Sequence, residues 1–495
     1  MSFRDQTAVK SMSVLISCLA ISFLCAKEVT GPSLAIGTGN LPEIHVVKNT
    51  TTFTTANGKP FVPFGVTYYR PNSGWAPQVW TQFDPAATRW DFAIMKQMGV
   101  NCVRVFLSYH SFYSQPGLLN QDGLQKFDQF LAIAEAAGIY VQPTGPDTWE
   151  GWPTNQPVAI EDEDTVRDLA QFWKLFATRY RGRSVIFAYE LKNEPSVPWR
   201  SDILQKRWNI WLEHKYASAW ALTNAWKMTE PLQLGRVAIP PATNALNSLR
   251  LLDYQSFRES IADEWTRRQV AAIKSADPNA LVTVGLVQWS VPIALPSSIS
   301  QYSAFRPSRQ ARFLDFLEIH FYPLAQGVFD YRSEAAETRN LAYLESLVCA
   351  VSRPGKPTLL GEFGWYGGGR PHFDGGGHPA ASSEQQARYC RRVIETSAGF
   401  VCGWLNWGLY DDPQATDVSE LTGLLKVTGK TKLWGADFQK LAREFEGRKT
   451  AQPKLGPRPA LDWNACLTDT RAGLKFQHAY YQAFLASNHC QDDKP

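Results

Sequence analysis

The chain has 495 residues, of which 44% are apolar and 19% charged, and its 50 basic and 46 acidic side chains leave a net charge of +4. This composition is typical of a globular protein with a large core and excludes a disordered chain. The charges are spread without long runs, so we expect no nucleic-acid partner.

A secretory signal peptide is predicted at residues 1–26. Arg4 and Lys10 precede an apolar run at residues 14–24, and residues 24–26 offer a cleavage point. The run is too short for a comfortable membrane span, and no later stretch qualifies. We therefore expect a secreted, periplasmic or extracellular protein with no membrane span. Residues 15–18 also resemble a bacterial lipobox, which leaves a lipoprotein as an alternative.

Eight apolar stretches alternate with amphipathic helical stretches along most of the chain. Helix starts are marked by Asp84 before Pro85, by Asp164, and by Ser382 three residues before Gln385. Strands that are apolar nearly throughout indicate a parallel sheet covered on both faces, and a count of eight favours a closed α/β (β/α)8 TIM barrel. The predicted strands are residues 61–69, 100–107, 139–143, 184–193, 281–285, 314–322, 357–363 and 400–409.

Two segments do not fit the repeating pattern. Residues 200–250, after strand four, hold Trp- and Leu-rich helical stretches and are predicted to be an insertion. Residues 448–495 begin Pro-rich and polar, continue as an amphipathic helix near 471–487, and are predicted to be a short extension packed on the barrel. The barrel domain itself is predicted to span residues 40–447, and we expect a monomer.

Polar and aromatic residues lie near the C-terminal ends of the predicted strands. Any one of them alone is compatible with a structural role. In a parallel barrel these strand ends meet at one mouth, and buried charges there need partners, so the set as a whole indicates an active site. Its members are Tyr68, Tyr69, Arg104, Asn193, Glu194, His320, Tyr322, Glu362, Trp404 and Trp407.

Glu194 and Glu362 end strands four and seven, on opposite sides of the predicted barrel. Two carboxylates facing each other across a pocket fit glycoside hydrolysis, and a separation of about 5–5.5 Å corresponds to a retaining mechanism. We expect Arg104 and Tyr322 to donate to Glu362 and keep it ionised as nucleophile. Glu194 would then act as acid and afterwards as base. Glu190, four residues earlier, is predicted to be a buried structural carboxylate lower in the barrel.

Five motifs in this order resemble clan A of the glycoside hydrolases, most of all family 5, the cellulase and mannanase family. They are centred on Arg104, on Glu190 to Pro195, on Glu318 to Tyr322, on Glu362, and on Trp404 to Trp407. The resemblance implies a retaining O-glycosyl hydrolase of mannanase or endoglucanase type. It also implies that Glu194 is the acid/base and Glu362 the nucleophile.

The same resemblance implies roles in sugar binding. Asn193 would bind the sugar 2-hydroxyl, His320 and Tyr322 would line the −1 site, and Trp407 rather than Trp404 would form its floor. Many family 5 members carry a histidine at the end of strand three, where this chain has Gln142. The insertion is also similar to that of other clan A enzymes, including β-galactosidases.

The predicted substrate is a β-linked carbohydrate of mannan, glucan or galactan type. Tyr69, Trp149 and Trp365 fall on predicted rim loops and are expected to form stacking subsites. No cofactor is predicted. The Gly-rich loop after strand seven carries two histidines and an aspartate, but we predict no metal site. The alternatives are a catalytically silent carbohydrate-binding barrel, a β-galactosidase-like enzyme and a transglycosylating enzyme of the same clan.

Overall fold

A computed structural model describes residues 41–47, 49–71, 77–147, 159–324, 330–448 and 455–492. Side chains are not described for residue 330 and residues 488–492. The predicted signal peptide and Trp149 lie outside the described residues.

Eight parallel strands close into a barrel, in which each strand pairs with its neighbours in sequence and the last pairs with the first. The predicted (β/α)8 barrel is therefore confirmed. The strands are β1 (Phe64–Thr67), β2 (Cys102–Ser108), β3 (Tyr140–Asp147), β4 (Tyr189–Asn193), β5 (Val282–Leu286), β6 (Leu317–Phe321), β7 (Thr358–Phe363) and β8 (Trp404–Trp407).

One helix follows each barrel strand and packs on the outside of the sheet. The fifth is reduced to a single turn, whereas the fourth is the longest of the described helices. They are α1 (Pro85–Gln97), α2 (Gln121–Ala137), α3 (Glu163–Tyr180), α4 (Leu249–Ala276), α5 (Pro307–Gln310), α6 (Glu334–Ser352), α7 (Ser383–Ser397) and α8 (Leu433–Phe445).

Side-chain caps begin the helices largely where the sequence predicts them. Asp84 accepts hydrogen bonds from two backbone N–H groups of α1, and Ser382 forms a reciprocal capping box with Gln385. The prediction for α3 was wrong by two residues. Asp162 rather than Asp164 is the cap, because its side chain accepts from the backbone N–H of Thr165, three residues on.

A three-stranded antiparallel sheet closes the N-terminal end of the barrel. Its strands are Ile44–Val46, Phe53–Thr55 and Pro60–Phe61. Phe53 packs edge-on against Phe187 and Phe316, with ring centroids 5.1 and 5.0 Å away. The prediction that Phe61 begins the first barrel strand was therefore wrong. The chain passes from this sheet to β1 at Pro63, which has no N–H to continue a ladder.

The insertion after β4 carries two helices, Asp202–Lys215 and Ala219–Ala225. Trp208 is fully buried there and stacks on Trp211 and Trp226, with ring centroids 5.4 and 6.1 Å away. The insertion thus builds a small aromatic core of its own.

The C-terminal extension forms two helices, Trp463–Thr468 and Thr470–Asp492. Tyr480 is buried and its hydroxyl donates to Glu345 of α6 at 3.0 Å, while Arg458 donates to the same carboxylate at 2.8 Å. These contacts hold the extension against the barrel. None of the helices in the described parts of the chain is long and apolar enough to cross a membrane.

Shorter elements fill the loops. They are the helices Gln78–Thr81 and Tyr109–Phe112, the hairpin strands Tyr113–Gln115 and Leu118–Leu119, and the 3-10 turns Gln288–Ser290, Ile299–Gln301, Asp330–Arg332 and Val418–Leu421.

Candidate active site

Arg104 is the centre of the polar cluster inside the barrel. It lies two residues into β2, fully buried, and not at the strand end where the sequence analysis placed it. Its Nε–H and one Nη2–H donate to the two carboxylate oxygens of Glu190 at 2.7 and 2.8 Å. Nη1–H donates to Glu362 at 2.9 Å and Nη2–H also to the amide oxygen of Asn193 at 2.7 Å. One guanidinium therefore orients residues from β4 and β7 together.

Glu362 is the last residue but one of β7, and its side chain is only 8% exposed. The Tyr322 hydroxyl donates to its Oε1 at 2.8 Å, and Arg104 donates to its Oε2. Both of the expected donors therefore reach this carboxylate. Burial raises the pKa of Glu362, while the positive charges of His320 and Arg104 oppose that shift. These donors stabilise the anion that burial disfavours.

Glu194 follows the last residue of β4 and is the more accessible carboxylate, with its side chain 32% exposed. Its backbone takes a left-handed conformation (φ 46°), and its N–H donates to the Gly285 carbonyl at 2.8 Å. A non-glycine residue in this region carries a strain of about 1–2 kcal/mol. That conformation directs the side chain so that its Oε1 lies 3.1 Å from Nδ1 of His320.

The two strand-end carboxylates come close together at the mouth. An oxygen of Glu194, an oxygen of Glu362 and a ring nitrogen of His320 all lie within 4.8 Å of one another. The mouth thus presents one buried, doubly hydrogen-bonded carboxylate opposite one accessible carboxylate. This pairing can provide a nucleophile and a proton donor on the two sides of a bound molecule.

A second pair of carboxylates lies below the first. Glu190 and Glu318 are both fully buried, and the amide nitrogen of Gln142 donates to both, at 3.0 and 2.8 Å. Although burial disfavours its charge, Arg104 holds the pKa of Glu190 below its ordinary value. Glu190 is therefore the buried structural carboxylate that the sequence predicts.

Sequence reasoning assigned no role to Glu318. Burial and repulsion from Glu190 raise its pKa to about 7. A strand period of two places it on the same face as His320, and its Oε1 lies 3.7 Å from the ring Nε2. The two-residue spacing from His320 could have pointed to Glu318 in the sequence. Only the fold places Gln142 and Glu190 beside Glu318.

His320 is buried between the two carboxylate layers. Burial by itself would lower its pKa, but Glu362, Glu194 and Glu318 surround the ring and raise it to about 10. The imidazolium formed at neutral pH can donate from Nδ1 to Glu194. His320 therefore links the accessible carboxylate to the buried layer.

The raised pKa of Glu318 predicts a pH-dependent effect of Glu318→Gln on stability. Between its ordinary pKa of 4.5 and its raised pKa of about 7, this carboxyl group keeps a proton in the folded protein that it loses in the unfolded chain. Its contribution to the free energy of unfolding therefore falls as pH rises through that window, by up to about 1.4 kcal/mol per pH unit. Glutamine does not titrate, so the free energy of unfolding of the variant does not fall in this way. We therefore expect the variant to become more stable relative to wild type as pH rises from 5 to 7.

Urea unfolding of both proteins at pH 5, 6 and 7 measures this difference. Glu444→Gln is the matched control, because that carboxylate is exposed on α8 and should change stability by no more than about 0.5 kcal/mol. A Glu318→Gln difference that stays constant or falls with pH would contradict the prediction.

The predicted aromatic residues fall into different surroundings. Trp407 ends β8 inside the mouth, where its ring centroid is 5.4 Å from that of Tyr69 and its indole N–H donates to Ser419. Trp404 faces outward, 4.8 Å from Phe445 of α8. Trp365 is 3% exposed and packs against Tyr366 and His378, and its predicted stacking role stays a prediction.

The Gly-rich loop after β7 is held by its own hydrogen bonds. Gly369 and Ala381 exchange two backbone hydrogen bonds, and the His378 ring lies 2.5 Å from Asp374. His372 has a 91% exposed side chain, and its Nδ1 lies 3.5 Å from a carboxylate oxygen of Glu420. Among the described residues, the groups able to hold a metal ion are Glu190, Glu318 and His320, and Glu194, His320 and Glu362. The hydrogen bonds from Arg104, Gln142 and Tyr322 described above engage Glu190, Glu318 and Glu362, whereas Glu194 contacts His320.

A family model described as Cellulase (glycosyl hydrolase family 5) matches residues 54–411, more than half of the chain. This range contains all eight barrel strands and both carboxylate layers.

The curated relatives match only part of the chain. A β-xylosidase from Phanerodontia chrysosporium is 26% identical over 140 residues, which is 26% of this chain and 28% of the relative. "Probable glucan 1,3-beta-glucosidase A" from Aspergillus fumigatus is 30% identical over 129 residues, 24% of this chain and 30% of the relative. The chain therefore spans less than a third of the length of these relatives.

Solved structures share the fold at low sequence identity. The exo-β-1,4-mannosidase Op5Man5 from Opitutaceae bacterium strain TAV5 is 19% identical with a TM-score of 0.59, over 85% of this chain and 66% of the other. The GH5_18 structure from Streptomyces cattleya, in complex with GlcNAc, is 18% identical with a TM-score of 0.59, over 87% of this chain and 91% of the other. A β-galactosidase from Rahnella sp. R3 is 15% identical with a TM-score of 0.68, over 90% of this chain and 65% of the other.

Proposed function

This chain belongs to glycosyl hydrolase family 5, and from that membership we propose that it is an exported retaining β-glycosidase. The observation that carries the proposal is the close approach of Glu194 and Glu362, with oxygens within 4.8 Å of each other. A retaining pair is separated by about 5–5.5 Å, whereas an inverting pair is about 6.5–9.5 Å apart to make room for a water molecule. The closer spacing supports direct attack by one carboxylate on the sugar.

Glu362 is the proposed nucleophile. Its two oxygens accept from Tyr322 and Arg104, which keeps the carboxylate ionised and directs it at the anomeric carbon. In the first step a Glu362 oxygen bonds to that carbon while the glycosidic bond breaks. The electron pair of the broken bond goes to the leaving oxygen, which takes a proton from Glu194. The product of this step is a glycosyl-enzyme ester.

Glu194 is the proposed acid and then base. After the leaving group departs, the Glu194 carboxylate removes a proton from a water molecule, which attacks the anomeric carbon and breaks the ester to Glu362. The greater exposure of Glu194 suits this second role, since water must reach it. His320, 3.1 Å away, can donate to the carboxylate form.

The sugar attacked by Glu362 is proposed to lie over Trp407 and Tyr69, with Asn193 beside its 2-hydroxyl. The Asn193 amide oxygen is occupied by Arg104, which leaves the amide N–H groups to donate to the sugar. His320 and Tyr322 would line the same subsite. Since the described catalytic groups all come from one chain, a monomer is sufficient for this arrangement.

The proposed substrates are β-linked glycans or oligosaccharides of glucan, mannan or galactan type. The names of the relatives support this range, since they include a glucan 1,3-β-glucosidase, an exo-β-1,4-mannosidase and β-galactosidases. Export is proposed from the basic and apolar pattern of residues 1–26 alone. N-terminal sequencing of the protein recovered outside the cytoplasm would test it.

The stereochemistry of the first product tests the retaining mechanism. A panel of aryl β-glycosides identifies a substrate, and NMR then follows the anomeric proton of the released sugar before mutarotation. We expect the β-anomer first, because two displacements restore the starting configuration. An α-anomer first would exclude the retaining mechanism. Binding of sugars without turnover of any β-glycoside would favour the catalytically silent barrel instead.

A further inference from the structure

A cavity of about 540 Å³ opens beside Glu194 at the mouth of the barrel. This is within the range of small-molecule binding sites in proteins. Its walls come from the segment after β5, from the segment after β6, and from the C-terminal extension. They include Glu194, Trp289, Leu295, Tyr322, Leu474 and Gln477.

The cavity lies on one side of the catalytic pair. Glu194 and Tyr322 are among its wall residues, whereas Glu362 is not. In the proposed reaction the attacked sugar sits at the nucleophile and the departing group sits at the acid, because the acid must reach the leaving oxygen. A cavity that borders the acid and not the nucleophile is therefore on the leaving-group side.

The C-terminal helix Thr470–Asp492 reaches this cavity through a close contact with the segment after β5. A Cβ atom on Gly473 would lie 2.4 Å from the backbone oxygen of Ile293 and 2.8 Å from that of Pro292. Only glycine allows so close an approach of the helix to that segment. The next residue, Leu474, is then held at the cavity wall, and Gln477 follows one turn later on the same face.

The wall chemistry suits a sugar ring. Trp289, Leu295 and Leu474 offer apolar surface for the C–H face of a pyranose, and Leu474 keeps 53% of its surface exposed. Gln477 and Arg339 add groups that can hydrogen-bond hydroxyls. Arg339 is itself held beside the helix, with its guanidinium carbon 5.2 Å from the Tyr481 ring centroid.

We propose that the C-terminal extension completes a saccharide subsite on the leaving-group side, in which Leu474 and Gln477 determine specificity. The inference rests on the proposed function, since it assigns Glu194 as the acid. It makes the extension part of substrate recognition and selects β-linked oligosaccharides, with a sugar as leaving group, over β-glycosides with small leaving groups.

A double variant, Leu474→Asp with Gln477→Ala, tests the subsite with two kinds of substrate. Cellobiose, laminaribiose, β-1,4-mannobiose and β-1,4-galactobiose place a sugar in the cavity. A β-glucosyl, β-mannosyl or β-galactosyl fluoride carries a leaving group too small to reach it. In the series that the wild type hydrolyses, we expect kcat/KM for the disaccharide to fall about tenfold or more, which corresponds to a change of about 1.4 kcal/mol. We expect kcat/KM for the glycosyl fluoride to stay within about twofold of the wild-type value.

The matched control is Ala479→Asp with Gln482→Ala. Both residues are exposed on the same helix and neither lines the cavity, so this variant should behave as wild type with both substrates. A wild type that hydrolyses neither substrate would overturn the proposed function itself. An active wild type whose ratio of disaccharide to fluoride activity is unchanged in the cavity variant, or lost equally in the control, would overturn the subsite alone.

Discussion

Replacing Glu362 by alanine is expected to lower kcat by at least about 10⁴-fold, since the proposed mechanism needs this carboxylate to form the covalent bond to the sugar. Of the two carboxylates at the mouth, Glu362 is the one whose two oxygens both accept from donors, Tyr322 and Arg104. Initial rates with the best aryl β-glycoside from the panel measure the loss, and circular dichroism confirms that the variant is folded.

Azide makes this result diagnostic of which carboxylate does which task. In Glu362→Ala an azide ion can occupy the space of the missing carboxylate and attack from below the ring, so the product should be an α-glycosyl azide. In Glu194→Ala the covalent intermediate still forms from a substrate with a good leaving group. Azide then attacks from the opposite face and should give a β-glycosyl azide. The reverse stereochemistry would show that the two roles are exchanged.

Replacing Arg104 by methionine is expected to reduce the free energy of unfolding by about 3–5 kcal/mol, the usual cost of breaking a buried ion pair. The guanidinium is fully buried and donates to Glu190, Glu362 and Asn193. Its removal leaves two buried carboxylates without their strongest donor. Activity should fall as well, because Glu362 would lose the partner of its Oε2.

Urea unfolding and a comparison with a surface arginine test this expectation. Arg267 pairs with Glu264 three residues away on the solvent-facing side of α4, so Arg267→Met should cost no more than about 1 kcal/mol. Arg104→Lys keeps the charge but not the fork of donors, and we expect a stability between those of wild type and Arg104→Met. An Arg104→Met protein as stable as Arg267→Met would show that the buried cluster does not depend on this residue.

The buried cluster also explains why the pKa of one carboxyl group is raised. Four carboxyl groups surround two cationic side chains. In the lower layer Glu190 and Glu318 lie side by side, and burial together with repulsion between them disfavours a second negative charge. Burial and this repulsion raise the pKa of Glu318 to about 7. The carboxyl groups are Glu190, Glu194, Glu318 and Glu362, and the cations are Arg104 and His320.

Strand ends were predictable because local signals mark them. Pro195 stops β4 directly after Glu194, and an apolar run leads into Glu362 in the same way. Parallel barrel strands all end at one face, so two such ends had to meet. Depth along a strand was less predictable. Arg104 was placed at the rim because its sequence neighbourhood looks the same at any height in an apolar strand.

Tertiary contacts decided everything that depends on segments distant in sequence. Phe61 pairs with Phe53 in the small sheet that covers the N-terminal end of the barrel. No local sequence pattern predicts that pairing. Glu318 accepts from the Gln142 amide of β3, a contact between residues 176 positions apart in sequence. In the sequence, Leu474 is an ordinary residue of an amphipathic helix. Only the packing of that helix on the segment after β5 places Leu474 at the cavity.

The sequence alone therefore determined the barrel and the pair of carboxylates at its mouth, because hydrophobic periodicity and strand-ending residues are local properties of the chain. Only the tertiary structure decided which carboxylates share hydrogen-bond donors, which carboxyl group has a raised pKa, and which segment lies beside Glu194. Those properties depend on distances of a few ångströms between residues far apart in sequence, and electrostatic interactions in a buried site change steeply over such distances.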